Sequence, residues 1–269
     1  MGVALAQLLV AMASVQFGAS FAKALFPAAG PTGAVGLGLI FSTPILWLAL
    51  RPWRRWPERR ALPVLAAYGA VLGTMNATFY LALQRLPLGV AVGVEFTGPL
   101  LLALAASRRP SDLLWVALAA LGLAGLAPVA GARLDPVGLA LALAAGGCWA
   151  LYIVFGKRSS DAYGPPSVAI GSLVAALLVA PFGLAQAGPA LLDARVLGAG
   201  LMVAVLSSAV PYGLEMLAMA KLPTRTFSTL MSLEPALAAL AGFFVLGEHL
   251  TGREWVSIAA IMVASAGVA

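Results

Sequence analysis

Residues 85–105 read RLPLGVAVGVEFTGPLLLALA, and residues 221–241 read KLPTRTFSTLMSLEPALAALA. Both stretches open with a basic residue, a leucine and a proline, and both place a second proline before a run of leucine and alanine. Pro87 therefore matches Pro223 and Pro99 matches Pro235, each at an offset of 136 residues. Chance similarity between helices rich in alanine and leucine explains a single match of this kind, so one match alone does not establish a repeat.

Two further matches flank this one in the same order. Lys23, Gly30 and Pro31 recur as Lys157, Gly164 and Pro165 at an offset of 134 residues, and Trp115-Val116 recurs as Trp255-Val256 at an offset of 140. Three matches in order at nearly constant spacing indicate a duplicated module. We therefore divide the chain into a first repeat at 1–131 and a second repeat at 132–269.

The composition is that of a membrane protein. Of the 269 residues, 62% are hydrophobic and 10% are charged, and the mean hydropathy is +0.99, which is unlike soluble domains. Long apolar runs without polar alternation indicate helices rather than the strands of a membrane barrel. The runs predict ten transmembrane helices, at 3–25, 33–50, 62–84, 88–107, 113–131, 136–156, 166–187, 195–219, 224–247 and 254–269.

The basic residues between these segments predict the orientation of the chain. If the amino terminus is cytoplasmic, the loops on that side hold eleven basic residues, and the opposite side keeps five, Lys23, Arg85, Arg133, Arg195 and Arg253. The positive-inside bias therefore places both termini in the cytoplasm. The first apolar run is interpreted as a span, with a cleaved signal peptide as the alternative.

Several classes of function lack their signals in the sequence. The formal charge of +6 comes from short clusters between apolar runs, which indicate topology rather than a nucleic-acid surface. A single cysteine, Cys148, and a single histidine, His249, do not support a metal site. Because no phosphate-binding loop, HExxH or GxSxG motif occurs, we predict no cofactor, no direct use of ATP and no enzyme activity.

Five helices per repeat is an odd number, so the second repeat must enter the membrane inverted relative to the first. Inverted repeats are typical of secondary transporters, which hold their substrate near the bilayer midplane between the two halves. The sequence therefore predicts an all-α membrane protein, with ten transmembrane helices in two inverted five-helix repeats. Such a protein moves a solute by alternating access.

A series of short motifs runs through nearly the whole chain. They are VAMAS (10–14), 87–99 with VEFT (94–97), RRP (108–110), VAIGSL (168–173), PY (211–212) with LEM (214–216), LPTRTF (222–227) and MSLEPAL (231–237). Together they resemble the drug/metabolite transporter superfamily with its paired EamA-type domains, and within it the threonine/homoserine exporters. The chain departs from the family at Gly38 on the second helix, where many relatives carry a basic residue.

The resemblance implies a function and its partners. It implies export of threonine, homoserine or related small amino acids across a bacterial inner membrane, with proton exchange as the coupling. The expected partners are an amino acid or other small metabolite and membrane lipid, without nucleic acid, and the protein is expected to act as a monomer. Export of aromatic amino acids, other metabolites or drugs on the same fold is the nearest alternative. A non-transporting scaffold or an intramembrane enzyme is a further one.

Three carboxylates lie inside predicted spans: Glu95 in the fourth, Glu215 in the eighth and Glu234 in the ninth. A charged side chain at the centre of a bilayer costs roughly 2.5–3.5 kcal/mol on insertion scales, so such residues face the bundle interior. We predict that Glu95 and Glu215 bind a substrate ammonium group and that all three acids serve proton coupling. The alternative for each is a protonated acid in a hydrogen bond between helices.

Three prolines lie near these acids. Pro99 and Pro235 hold equivalent places in the repeat, and Pro211 precedes Glu215 by four residues. A proline inside a helix leaves one backbone carbonyl without its usual partner, and a solute ammonium or a water can bind there. We predict helix bends at these three positions. A simple packing kink is the alternative.

An amino-acid zwitterion also needs donors for its carboxylate and a wall for its side chain. The candidate polar ligands are Gln16, Asn76, Tyr80, Ser207, Ser208 and Tyr212, and the candidate wall residues are Phe79, Trp149 and Tyr152. Hydrogen bonds between helices and packing at the lipid interface remain alternative roles for all of them.

Overall fold

A computed structural model describes residues 2–106, 112–126, 135–211, 214 and 231–268. These residues form helices and connecting turns. The helices are α1 (Gly2–Ala24), α2 (Phe26–Leu50), α3 (Leu62–Leu83), α4 (Leu88–Glu95), α5 (Thr97–Ala106), α6 (Asp112–Leu126), α7 (Pro136–Tyr163), α8 (Ser167–Ala187), α9 (Ala194–Ala204), α10 (Glu234–Leu246) and α11 (Gly252–Val268). A π-helical turn, Val205–Ala209, continues α9.

The expected all-α membrane architecture is confirmed. Within the described residues, five helical segments are long and apolar enough to cross a membrane, namely Gly2–Ala24, Phe26–Leu50, Arg59–Leu83, Pro136–Tyr163 and Ser167–Leu192. Shorter apolar helices occupy four of the other predicted spans. The predicted spans 113–131, 195–219 and 224–247 extend into residues that lie outside the described part of the chain.

Gly30 and Gly164 adopt the same rare backbone conformation at equivalent places in the two repeats. Gly30 has φ +71° and ψ 167°, and Gly164 has φ +80° and ψ −164°, a region open almost only to glycine. The helix α2 begins at Phe26, earlier than the predicted span at 33–50, and its helical backbone is interrupted at Gly30. The Oε1 of Gln186 on α8 then accepts hydrogen bonds from the backbone N–H groups of Thr32 (2.8 Å) and Gly33 (3.2 Å), which satisfies donors at the break.

The fourth predicted span is broken into α4 and α5 at Phe96. Ser232 and Leu233, which lie 136 residues after Phe96 and Thr97 respectively, form a turn just before α10. Pro99 and Pro235 follow these breaks and lie in the first turn of α5 and of α10. For Pro235, next to the first residue of α10, the missing amide costs little, because an amide at that position has no partner within the helix.

Glycines bring this broken helix into backbone contact with α7. A Cβ on Gly98 would overlap the carbonyl oxygen of Gly146, and a Cβ on Gly146 would lie 2.5 Å from the carbonyl oxygen of Glu95. The Glu95 carbonyl is also the group that would have bonded to residue 99, where proline has no N–H. This carbonyl therefore lies directly against the backbone of α7.

Contacts between the two halves of the chain are reciprocal. Three helices pack on their own counterparts, α2 on α8, α4 on α10 and α6 on α11. Three further pairs of contacts exchange the halves: α1 packs on α9 as α7 packs on α3, α1 packs on α10 as α7 packs on α4, and α2 packs on α9 as α8 packs on α3. This is the pattern expected when two related modules pack face to face.

The charged residues separate to two ends of the bundle. At one end, which we call the basic end, seven exposed basic residues lie in the described chain: Arg51, Arg54, Arg55, Arg59, Arg60, Lys157 and Arg158. The Tyr163 hydroxyl at the end of α7 joins these segments by donating to the Arg55 carbonyl at 2.5 Å.

At the other end, which we call the paired end, basic residues find acidic partners. Lys23 contacts Glu248 and Arg85 contacts Asp135, each at 2.6 Å. Asp135 also caps α7 by accepting from the Val137 N–H at 2.8 Å. The hydrogen bond from Arg85 is the largest cause that lowers the pKa of Asp135, and its bonds to the backbone lower it further.

Replacing Gly146 by alanine is expected to destabilise the fold, whereas the same change at Gly147 is not. A methyl at 146 presses on the carbonyl oxygen of Glu95, and overpacking of this kind costs about 1–3 kcal/mol. A methyl at 147 meets nothing within 4 Å and gains the helix preference of alanine. Thermal unfolding of the purified protein in detergent measures both. Equal melting temperatures for the two variants would contradict the backbone contact with α7.

Candidate functional site

A cavity of about 190 Å³ lies among α1, α3, α4, α7, α10 and the segment that follows α9. An engineered apolar cavity of about 150 Å³ binds benzene, and threonine is only slightly larger than benzene. The residues that line the cavity are Val15, Gln16, Ala19, Met75, Asn76, Phe79, Tyr80, Val92, Glu95, Trp149, Tyr152, Ser207, Pro211, Met231 and Glu234. The cavity therefore has room for a solute of about the size of threonine.

Most of the residues singled out from the sequence meet in this cavity. Those that line it are Gln16, Asn76, Phe79, Tyr80, Glu95, Trp149, Tyr152, Ser207, Pro211 and Glu234. Pro99 and Pro235 are not among its lining residues, and each follows a helix break beside Glu95 or Glu234. Ser208 lines a smaller neighbouring chamber. Tyr212 and Glu215 lie outside the described residues, so their predicted roles stay predictions.

Sequence reasoning missed the apolar part of the lining. Val15, Ala19, Met75, Val92 and Met231 face the cavity but carry no chemical signal that separates them from other apolar residues. Helical spacing offers one route to some of them. Ala19 lies three residues after Gln16, and Val92 lies three before Glu95, so each shares a helix face with a polar candidate.

The two acids Glu95 and Glu234 dominate the electrostatics of the cavity. Their residues are only 7% and 5% exposed, and the two carboxyl groups interact with each other electrostatically. Among the described residues, no lysine, arginine or histidine lines the cavity. A carboxyl group that lines a small buried cavity favours a bound cation, because an ammonium group is attracted to the carboxylate.

Aromatic rings form one wall of the cavity and are held by partners. Trp149 packs edge-on against Phe96 with ring centroids 5.5 Å apart, and Tyr152 stacks on Tyr68 at 5.1 Å. The hydroxyl groups of Tyr68 and Tyr152 are also 3.2 Å apart, within hydrogen-bond distance. The aromatic wall is therefore fixed by neighbouring helices, and its shape restricts the side chain that a solute places against it.

A smaller chamber of about 40 Å³ lies beside the cavity, towards α2 and α8. Asn76, Tyr80 and Ser207 line both spaces, so the chamber adjoins the cavity at these three side chains. The other polar residues of the chamber are Ser42, Ser172 and Ser208. In the described residues no group of three or more His, Cys, Asp or Glu side chains is placed to hold a metal ion.

A charged network lies one helical turn from the cavity, towards the paired end. Lys23 Nζ donates to Glu248 Oε1 at 2.6 Å and to the Leu86 carbonyl at 2.5 Å, while Glu248 Oε2 accepts from the Leu88 N–H at 2.7 Å. Lys23 lies one helical turn beyond Ala19 on α1, and Leu88 lies one turn beyond Val92 on α4. The network thus connects α1, the start of α4 and the α10–α11 loop, about one helical turn from the cavity.

Comparison with known proteins identifies the family. The chain is 54% identical over 263 residues to the threonine/homoserine exporter RhtA of Escherichia coli K12. The aligned region covers 97% of this chain and 89% of that protein. The RhtA protein of Salmonella typhimurium LT2 is 53% identical over the same length. The model of the EamA-like transporter family matches residues 136–269. The chain belongs to the EamA-like transporter family.

More distant matches agree with this membership of the EamA-like family. An uncharacterized transporter of Bacillus subtilis, YwfM, is 29% identical over 161 residues, 58% of this chain and 54% of that protein. One solved crystal structure of a protein aligns with a TM-score of 0.65 at 18% identity, covering 98% of this chain and 96% of that chain. That last likeness concerns the fold alone. With its apolar helices, this EamA-like transporter is a multi-pass membrane protein.

Breaking the Lys23–Glu248 pair is expected to destabilise the protein. In Lys23→Met the half-buried carboxylate of Glu248 loses its cation, which costs about 1–3 kcal/mol of unfolding free energy. Adding Glu248→Gln removes the orphaned charge and is expected to recover part of that loss. Arg60→Met is the control, because its pair with Glu58 is exposed and contributes at most about 1 kcal/mol. Additive effects on melting temperature in the double variant would contradict this coupling.

Proposed function

We propose that this EamA-like transporter exports threonine, homoserine and similar small neutral amino acids across a bacterial inner membrane. Two relatives that are 53% and 54% identical over 97% of this chain are named threonine/homoserine exporters. The observation that carries the proposal is the cavity itself. It is large enough for threonine, holds two acids with no basic side chain in its described lining, and has polar groups beside an aromatic wall.

In the proposed complex, the solute ammonium lies between Glu95 and Glu234. Both acids line the cavity, and a carboxylate attracts an ammonium group strongly where little water is present. The solute carboxylate then needs donors, and the hydroxyl groups of Tyr80 and Ser207 line the same cavity. Gln16 and Asn76 supply further polar contacts. Glu215 and Tyr212 remain proposed ligands outside the described residues.

Size and shape favour small aliphatic solutes over aromatic ones. The cavity of about 190 Å³ is only slightly larger than one that holds benzene, so a tryptophan-sized solute requires expansion. Trp149 and Tyr152 are also engaged with Phe96 and Tyr68. Moving them to admit a second ring breaks aromatic contacts worth about 0.5–1.5 kcal/mol each. We therefore propose that these residues wall the cavity against larger side chains.

Alternating access by two inverted repeats, 1–131 and 132–269, is the proposed mechanism. The reciprocal helix contacts support it, as do the matching glycine conformations at Gly30 and Gly164 and the matching turns at Phe96 and Ser232. Two modules with the same internal construction can exchange conformations, which moves the opening from one side of the membrane to the other. Proton exchange at Glu95, Glu215 and Glu234 is the proposed coupling.

We further propose that the basic end faces the cytoplasm. Seven described basic residues lie at that end, and the paired end has four basic residues balanced by four acidic ones, which follows the positive-inside rule. Both termini are then cytoplasmic. In this orientation the Lys23–Glu248 pair lies on the external side of the cavity. The proposed cycle requires one chain, no cofactor and no covalent step.

Reconstituted vesicles test the proposed cargo. Protein-dependent efflux of labelled threonine and homoserine is expected, with unlabelled small neutral amino acids competing and with faster flux across a proton gradient. Vesicles without protein give the background. A panel of larger, aromatic amino acids is measured in parallel at two pH values. Flux of the aromatic solutes alone, or no flux of any amino acid, would overturn the proposed substrate class.

Replacing Glu95 by Gln tests the proposed role of the carboxylate. The change keeps the side-chain volume and removes the charge, so we expect transport to stop or to lose its dependence on pH. Insertion and melting temperature should be retained. Glu58→Gln, on an exposed loop, is the matched control and is expected to transport normally. Unchanged flux and pH response in Glu95→Gln would show that Glu95 is structural.

A further inference from the structure

We propose that the chamber beside the main cavity is a subsite for the hydroxyl group of the solute, and that Gly38 keeps it open. This inference rests on the proposed function and refines it. It explains how a transporter distinguishes threonine from valine, which has the same shape with a methyl group in place of the hydroxyl. A purely apolar pocket discriminates such isosteres poorly, whereas a site built to hydrogen-bond a hydroxyl group discriminates strongly.

The lining of the chamber is rich in hydroxyl groups for its size. Its volume is about 40 Å³, and a space of this kind holds a water molecule or the end of a small side chain. Ser42, Tyr80, Ser172, Ser207 and Ser208 all line it, together with the amide of Asn76. A solute whose ammonium lies near Glu95 reaches this chamber past Asn76, Tyr80 and Ser207, which line both spaces.

The hydrogen bonds already made in the chamber leave acceptors for a solute. Ser42 donates to the Leu39 carbonyl (3.4 Å) and Ser172 donates to the Ala169 carbonyl (2.9 Å), so the hydroxyl oxygens of both remain able to accept. Asn76 similarly donates to the Leu72 carbonyl at 2.8 Å. A solute hydroxyl entering the chamber therefore finds acceptors that a methyl group would leave unused.

Ser207 is the strongest candidate partner. Its Oγ is buried beside the hydroxyl group of Tyr80 and makes no other side-chain hydrogen bond within the described residues. The π-helical turn Val205–Ala209 carries Ser207 and Ser208, and π-turns widen a helix locally and often occur at functional sites. A serine hydroxyl has one donor and two acceptor sites, so Ser207 can bind a solute hydroxyl group in addition to Tyr80.

Gly38 controls the space in the chamber. A Cβ at this position would make only ordinary contact, 3.4 Å from Val203 Cγ1. An alanine there is therefore tolerated by the fold, but its methyl group occupies part of the chamber. A valine at the same position occupies more. The size of residue 38 should thus set whether a hydroxyl-bearing side chain can enter.

The test compares isosteric pairs of solutes, threonine with valine and homoserine with norvaline, in the same vesicles. The wild-type protein is expected to favour the hydroxyl member of each pair by about tenfold, because the alternative leaves buried polar groups unpaired. Gly38→Ala and Ser207→Ala are expected to lower that ratio to roughly threefold or less, with Gly38→Val lowering it further. Gly147→Ala adds the same methyl where nothing lies within 4 Å and should leave the ratio unchanged.

A second readout keeps the test decisive if a variant transports poorly. Each solute stabilises the purified protein in proportion to its binding, so the shift in melting temperature gives the preference without flux. A wild-type protein that moves or binds both members of a pair equally would overturn the subsite while the proposed export stands. Unchanged ratios in both Gly38→Ala and Ser207→Ala would also overturn it. Failure of every amino acid to bind or move would refute the proposed function, and the subsite with it.

Discussion

The absence of water in the hydrocarbon core is the constraint on which this structure depends. A charge or a backbone polar group placed there must find a partner inside the protein. At the paired end, Lys23 and Glu248, which are largely buried, form an ion pair. In the interior, Glu95 and Glu234 line one cavity that has no basic side chain in its described lining. The cavity is therefore the place where the fold presents buried acidic groups to a solute.

The same constraint explains why the helices break where they do. At Gly30 the exposed backbone donors of Thr32 and Gly33 are taken by the Gln186 side chain. At Pro99 the carbonyl of Glu95 lies against the backbone of Gly146. Breaks of this kind are tolerated in lipid only where protein or a cavity covers them. Glu95 is the last residue of α4, and it lines the cavity beside this contact with α7.

Size and chemistry are determined by different residues of the site. The acids and hydroxyl groups decide which functional groups a solute must carry, whereas Trp149 and Tyr152, held by Phe96 and Tyr68, limit how large it can be. Gly38 contributes through the side chain it lacks. A transporter can therefore change its cargo by substitutions in the wall while the pair of acids stays in place.

The sequence by itself determined the class, the helical segments and much of the site, because membrane burial restricts composition so strongly that polar residues inside apolar runs stand out. Glu95, Glu234, Asn76 and Tyr80 were found in this way. Their convergence on one cavity, the breaks at Gly30 and Phe96, and the apolar lining by Val15 or Met75 were decided only by the tertiary structure. Apolar residues carry no signal of which neighbour they face, since that depends on how helices distant in sequence pack together.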